Sequence, residues 1–132
     1  MENRAKKILV VDDDPDILDA LQLTLEDAGY DVTTAQKAEY AENLRDTNGG
    51  LPDVIILDVL LSGKDGRLIC RKLKSQEDTR HIPVLMISAH PTAQQSVQAV
   101  GADGFLAKPF DIDELLEKVS ALSSLHFSQG KL

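Results

Sequence analysis

Acidic side chains crowd the ends of two apolar runs. Asp12, Asp13 and Asp14 follow the run ILVV (residues 8–11), Asp58 follows VIIL (residues 54–57), and Asp65 comes a turn later. Carboxylates set beside buried strands repel one another, and a chain that keeps them together has a use for the field they create. The commonest use is to hold a hard cation. Mg²⁺ binds through one or two carboxylates, keeps several waters and leaves positions for phosphate oxygens. A zinc set cannot be assembled from the single cysteine, Cys70, and the scattered His81, His90 and His126.

The elements that must carry these groups alternate between short apolar runs and helical patterns. Residues 7–11 form a buried strand. Asp14 is the N-cap of a helix with Pro15 in its first turn. The apolar stripe of that helix is Ile17, Leu21, Leu25 and Ala28, and Gly29 ends it. Residues 31–35 form a weaker strand and 37–46 a polar helix. A loop follows at Asn48, Gly49, Gly50 and Pro52. Residues 54–57 form the third strand, 63–66 a turn and 67–74 a helix, with Asp65 as a turn or N-cap residue. The fourth strand is 83–87, followed by a helix at 92–100 that stops at Gly101. The fifth strand is 103–107. Asp111 caps a last helix with Ile112, Leu115, Val119 and Leu122 on its core stripe, and the tail from Ser123 reads as loose. Such alternation makes an α/β fold, a doubly wound five-stranded parallel sheet with helices on both faces and right-handed crossovers. In these sheets the site lies beyond the C-terminal strand ends where the strand order reverses. Asp12, Asp13 and Asp58 fall there in the flavodoxin-like order 2-1-3-4-5.

A chain of 132 residues, 42% hydrophobic and 27% charged, is one domain able to bury its own core. The net charge of −8 argues against direct nucleic-acid binding and against docking on anionic lipid. No apolar run approaches membrane-spanning length, and the N-terminal apolar stretch is too short for a signal core. One cysteine permits no internal disulfide, which suits a reducing, cytoplasmic setting. Cys70 reads as a small buried hydrophobe.

Four blocks carry a resemblance: ILVVDDDPD (residues 8–16), VIILDVLLSGKDG (54–66), PVLMISA (83–89) and GADGFLAKPF (101–110). Together they resemble the receiver domain of bacterial two-component response regulators, the CheY-like (βα)5 fold. The resemblance implies a receiver domain over residues 1–125 and a tail or linker start over 126–132. It implies that Asp58 is the phosphoacceptor, served by a sensor histidine kinase or phosphotransfer protein. A carboxylate attacking phosphorus forms an acyl phosphate, in chemistry that is mostly positioning and charge neutralisation. The resemblance further implies Mg²⁺, with Mn²⁺ able to substitute, held by Asp13 and Asp58, by Asp12 through water, and by the backbone carbonyl of Leu60. Lys108 matches the lysine that pairs with a phosphoryl oxygen and Ser88 the switch hydroxyl. Phe105 matches the aromatic switch, and the Lys108–Pro109 bond is expected to be cis. Phosphorylation would then shift the surface of the fourth helix, fifth strand and fifth helix toward a state read by a downstream protein or output domain. The protein would be a monomer or a phosphorylation-dependent dimer, with Leu116 off the core stripe of the last helix. It would be a signalling phosphoacceptor, catalysing only its own phosphorylation and dephosphorylation.

The chain departs from the family pattern in three places. Leu61-Ser62 stands where Met-Pro is common, which is expected to loosen that loop. The stretch from Ser88 to Gly101 is about two residues short, so a short or displaced fourth helix is expected. Phe105 has no phenolic hydroxyl. Leu60 and His90 occupy positions that tune loss of the phosphoryl group, and the apolar Leu60 implies a long-lived one. Other uses of the fold fit less well. A constitutive interaction module has no need for the full acidic, hydroxyl and lysine set. A flavin or nucleotide enzyme needs a glycine-rich first loop, and DDDPD has none. An aspartate-nucleophile phosphatase wants a second acid where Leu60 stands.

Overall fold

Alternate side chains of each short strand must face opposite ways, and here both faces of the sheet are covered. A computed structural model describes residues 5–44, 50–90 and 92–130, with side chains through residue 124. Its elements are β1 (Lys7–Val11), α1 (Pro15–Asp27), β2 (Asp31–Ala35), α2 (Ala38–Glu42), β3 (Val54–Asp58), β4 (Leu60–Leu61), β5 (Lys64–Asp65), α3 (Gly66–Ser75), β6 (Val84–Ser88), α4 (Ala93–Ala99), β7 (Gly104–Ala107) and α5 (Ile112–Gly130). The main sheet is parallel in the order β2-β1-β3-β6-β7. With the small β4–β5 hairpin set aside, this is the expected 2-1-3-4-5.

Ile8, Val10, Val54, Ile56, Leu85 and Ile87 pack under α1 and α5, against Leu18, Leu21, Leu25, Leu115, Val119 and Leu122. Leu9, Val11, Ile55, Leu57 and Met86 face the other way, against Ala38 and Ala41 of α2, Ile69, Cys70 and Leu73 of α3, and Ala93 and Val97 of α4. Full burial of one such leucine or isoleucine contributes about 1.5–3 kcal/mol. Two apolar layers clamp the strands from both sides, so the strand ends are held rigidly.

Several expectations shift by a residue or more. In α1 the buried stripe is Leu18, Leu21 and Leu25; Ile17 is only partly buried and Ala28 is exposed. Leu21 and Leu25 are buried as expected, and Leu18 takes the place of Ile17, since both fit the helical repeat. In α5 Ile112 is 44% exposed, while Leu115, Val119 and Leu122 are buried. Ile112, in the first turn of that helix, therefore lies off its buried face. Leu116 is partly buried against the α1–α5 layer. The backbone stays helical to Gly130, beyond the point where a loose tail is expected, and residues 131–132 lie outside the described residues. α2 is shorter than its expected span, and the end of that span together with Asn48 and Gly49 also lies outside the described residues. α4 is short, as the spacing implied, with seven residues ending before Gly101 at φ 89°. No described helix is long and apolar enough to cross a membrane.

Candidate functional site

Local chemistry sets each site residue at a strand end. Asp12 leaves β1 with its N–H donated to the Ala35 carbonyl at 3.1 Å, so it continues the β1–β2 ladder by one step. Its side chain is fully buried. One carboxylate oxygen accepts the Asp14 N–H at 3.0 Å, and the other accepts Lys108 Nζ at 3.0 Å. Asp14 then caps α1 by accepting the Asp16 N–H at 3.0 Å, which occupies it as a cap and not as a site residue. Asp13 is half-buried between them, and its carboxylate accepts the Ser62 hydroxyl at 2.7 Å.

Asp58 closes β3 opposite Ile87 and is 5% exposed. Lys108 Nζ lies 3.5 Å from its carboxylate. One oxygen from each of Asp12, Asp13 and Asp58 lies within 4.8 Å of the others. Two like charges at that range cost each other roughly 3 kcal/mol at an effective dielectric of about 20. Burial, and next the charge of Asp12, push the Asp58 carboxyl up from 3.8 to about 6, against the pull of Lys108 and a hydrogen bond from the Leu60 N–H. Burial opposes the charge on Lys108. The hydrogen bond to Asp12 and the charges of Asp58 and Asp12 outweigh it and hold the ammonium above its usual range. All three carboxylates are hard oxygen donors gathered within 4.8 Å, and that donor set fits Mg²⁺.

The Lys108–Pro109 peptide is cis, as expected. The Lys108 N–H donates to the Ser88 carbonyl at 2.8 Å, which joins the ends of β6 and β7. Ser88 is buried, and its hydroxyl accepts the His90 N–H at 3.0 Å. Phe105 pairs with Met86 in the ladder and is half-buried on the α2–α3–α4 side. Leu60 turns its side chain outward, 55% exposed. A cleft of about 400 Å³ opens beside Ser88, bounded by Leu60, Arg67, His90 and Ser96.

The segment after Asp58 is not the loose loop that the missing proline suggested. Leu60–Leu61 and Lys64–Asp65 pair as an antiparallel hairpin, and Gly63 takes φ 73° in its turn, a conformation that favours glycine. Three features here escape a sequence reading. Ser62 reaches back to Asp13. Gly66 packs so closely that a Cβ would meet the Asp58 carbonyl oxygen, and its N–H donates to the Val59 carbonyl at 2.7 Å. Arg67 forks onto Asp65, at 2.8 Å and 2.7 Å, and donates at 3.0 Å to the Ser96 hydroxyl on α4. The Ser-Gly dipeptide was a turn signal that could have suggested the hairpin, but no sequence signal pairs Arg67 with Ser96. Asp65 caps α3 by accepting the Arg67 N–H at 2.9 Å, in line with the N-cap reading.

Comparison with known proteins places this geometry. The response regulator receiver domain family matches residues 8–120. The DNA-binding dual master transcriptional regulator RpaA of Synechocystis sp. is 42% identical over 118 residues, which cover 88% of this chain and 48% of RpaA. The chain therefore spans about half the length of that relative. The chemotaxis response regulator CheY4 of Vibrio cholerae superposes with a TM-score of 0.79 at 34% identity, covering 90% of this chain and 99% of CheY4. The response regulator TrrA of Thermotoga maritima, solved in complex with Mg(2+)-BeF, superposes with a TM-score of 0.77 at 32% identity, covering 89% of this chain and 98% of TrrA. Receiver domains of this kind are signalling phosphoacceptors that bind Mg²⁺ at an acidic pocket, and response regulators interact with kinases and output domains. With a five-stranded sheet in the flavodoxin-like order and an acidic pocket at its switch point, the chain belongs to the response regulator receiver domain family.

Proposed function

We propose that this receiver takes a phosphoryl group on Asp58 from a histidine kinase or phosphotransfer protein, in a reaction that needs Mg²⁺. The observation that carries the reading is the set around Asp58: a buried carboxylate at the end of β3, with Lys108 at 3.5 Å and the Asp12 and Asp13 carboxylates gathered beside it. Asp13 and Asp58 would hold the metal directly, Asp12 through water, and Leu60 through its carbonyl, with Mn²⁺ as a substitute. The bound cation supplies charge neutralisation for phosphoryl oxygens.

An Asp58 oxygen attacks phosphorus, the bond from phosphorus to the donor nitrogen breaks, and the donor imidazole leaves with the electron pair. Lys108 neutralises one phosphoryl oxygen and Ser88 donates to another. To do so the Ser88 hydroxyl must turn, and the half-buried Phe105 ring beside α4 follows. The α4–β7–α5 surface then changes for a downstream protein or an output domain. Leu60 presents no polar group to orient a hydrolytic water, so the phosphoryl group is long-lived; decay within minutes would refute that. A monomer, or a dimer formed on phosphorylation, fits the reading.

The test is intact mass after incubation with Mg²⁺ and acetyl phosphate. One phosphoryl adduct that requires the metal and is absent in Asp58→Asn supports the assignment. An adduct that survives in Asp58→Asn refutes it.

A further inference from the structure

Asp13 is the least buried member of the acidic set, and an aspartate at a strand end has side-chain freedom to lose when it takes up a cation. Among the described residues, one group restrains it. The Ser62 hydroxyl donates to an Asp13 carboxylate oxygen at 2.7 Å, across 49 residues of sequence. Ser62 is itself held, because it sits in the turn of the β4–β5 hairpin beside Gly63. The second strand of that hairpin is anchored through both of its residues. Lys64 donates to Glu42 of α2 at 3.0 Å, and Asp65 caps α3. Among the described residues, the other two carboxylates have orienting donors of their own, Asp14 N–H and Lys108 for Asp12, and Leu60 N–H and Lys108 for Asp58. Ser62 is the corresponding group for Asp13.

We propose that Ser62 is a positioning residue for cation binding: through one hydroxyl it fixes the orientation of the Asp13 carboxylate, so that the acidic pocket accepts a divalent cation with less reorganisation. The bond occupies one lone pair of one oxygen. A carboxylate offers about four such sites, so the hydroxyl orients Asp13 without blocking it. Partners of this kind, outside the ligands themselves, typically contribute 10–100-fold to metal affinity. Ser62 is exposed to water, which competes for the same carboxylate, so about tenfold is expected.

The inference rests on the proposed metal site, and the experiment separates the two. Mg²⁺ and Mn²⁺ dissociation constants are measured on the unphosphorylated protein, by calorimetry and by Mn²⁺ electron paramagnetic resonance. The wild type is compared with Ser62→Ala, Ser62→Thr and Asp13→Asn, and urea unfolding confirms that each variant folds. Ser62→Ala should weaken both metals about tenfold, and Ser62→Thr, which keeps the hydroxyl, should restore affinity to near the wild-type value. Unchanged or tighter binding in Ser62→Ala would overturn the role of Ser62, while Asp13→Asn would still weaken binding. A Ser62→Thr that binds as poorly as Ser62→Ala would also overturn it, since the hydroxyl would then not be the operative group. No binding by the folded wild type would overturn the metal site itself, and the role of Ser62 with it.

Discussion

Asp58 should be a stability liability in the metal-free protein. Its carboxyl is pushed from 3.8 to about 6 by burial and by Asp12. A difference of that size corresponds to about 3 kcal/mol between the two protonation states. An amide in the same place is itself a buried polar group, so roughly 2 kcal/mol of that is expected from substitution. Below about pH 4 the group is protonated in both the folded and the unfolded chain, and nothing is lost. Between about pH 4 and 6 the unfolded chain ionises first, so the native state loses ground with each step upward. Above that window both forms are ionised and the native state carries the whole penalty. Asp58→Asn removes the charge and keeps an acceptor of the same shape for Lys108 and the Leu60 N–H. Urea unfolding in chelator at about pH 7.5 should therefore find the variant more stable by about 2 kcal/mol, with the gain gone near pH 4. Saturating Mg²⁺ should narrow the gap, because the wild type gains with the logarithm of its metal affinity and the variant gains less. A variant no more stable than the wild type at neutral pH, or a gain that persists unchanged into acid, would refute the electrostatic reasoning.

Lys108→Met should act in the opposite direction. It leaves the fully buried Asp12 and the nearly buried Asp58 without their shared cation, so a loss of about 3–5 kcal/mol in chelator is expected, partly recovered with Mg²⁺ on the same urea curves. Gly66→Ala forces a methyl group against the Asp58 carbonyl; a loss of about 3 kcal/mol by urea unfolding is expected, and equal stability would show that the start of α3 can shift freely. The Cys70 thiol is fully buried and pushed up to about 11 by burial. A thiol reagent at neutral pH should label it only at the rate of unfolding, and prompt labelling of the native protein would contradict that packing.

Most of the frame was legible because two periodicities were clear. The runs at 8–11 and 54–57 are apolar at every position, which only a strand covered on both faces requires, and they separate cleanly into the two core layers. The caps at Asp14 and Asp65 were legible for a local reason, since an Asx side chain bonds the backbone two residues on whatever the rest of the chain does. What sequence reasoning missed depends on groups far apart in the chain. Ile17 and Leu18 fit the helical repeat of α1 about equally, and only the position of α1 over the sheet decides between them. Ile112 fits the stripe of α5 but stays exposed in its first turn. The proline-free segment after Asp58 promised slack, yet the hairpin and its contacts to Asp13, Glu42 and Ser96 hold it. Contacts of that kind follow from how elements dock, and dipeptide chemistry alone does not specify them.

The charge balance of the pocket ties these observations together. Asp12, Asp13 and Asp58 bring three negative charges and Lys108 one positive, which leaves two unbalanced when every carboxylate is ionised. A divalent cation closes that deficit. Lys108 is divided between two of these carboxylates. It hydrogen-bonds Asp12 at 3.0 Å and stands 3.5 Å from Asp58, close enough to attract and too long for a strong hydrogen bond. A phosphoryl group on Asp58 would add close to two negative charges near that ammonium. The pull on Lys108 would then shift from Asp12 toward the new oxygens, and the Lys108 N–H bond to the Ser88 carbonyl gives that shift a direct route to the end of β6. The elevated carboxyl of Asp58, the divided lysine and the tethered serine carbonyl thus act on one another through contacts of a single bond each. A double-mutant cycle between Lys108 and Asp12 should accordingly show a larger coupling than one between Lys108 and Asp58 in the unphosphorylated protein. The order of the two couplings would be inverted if Lys108 were committed chiefly to Asp58.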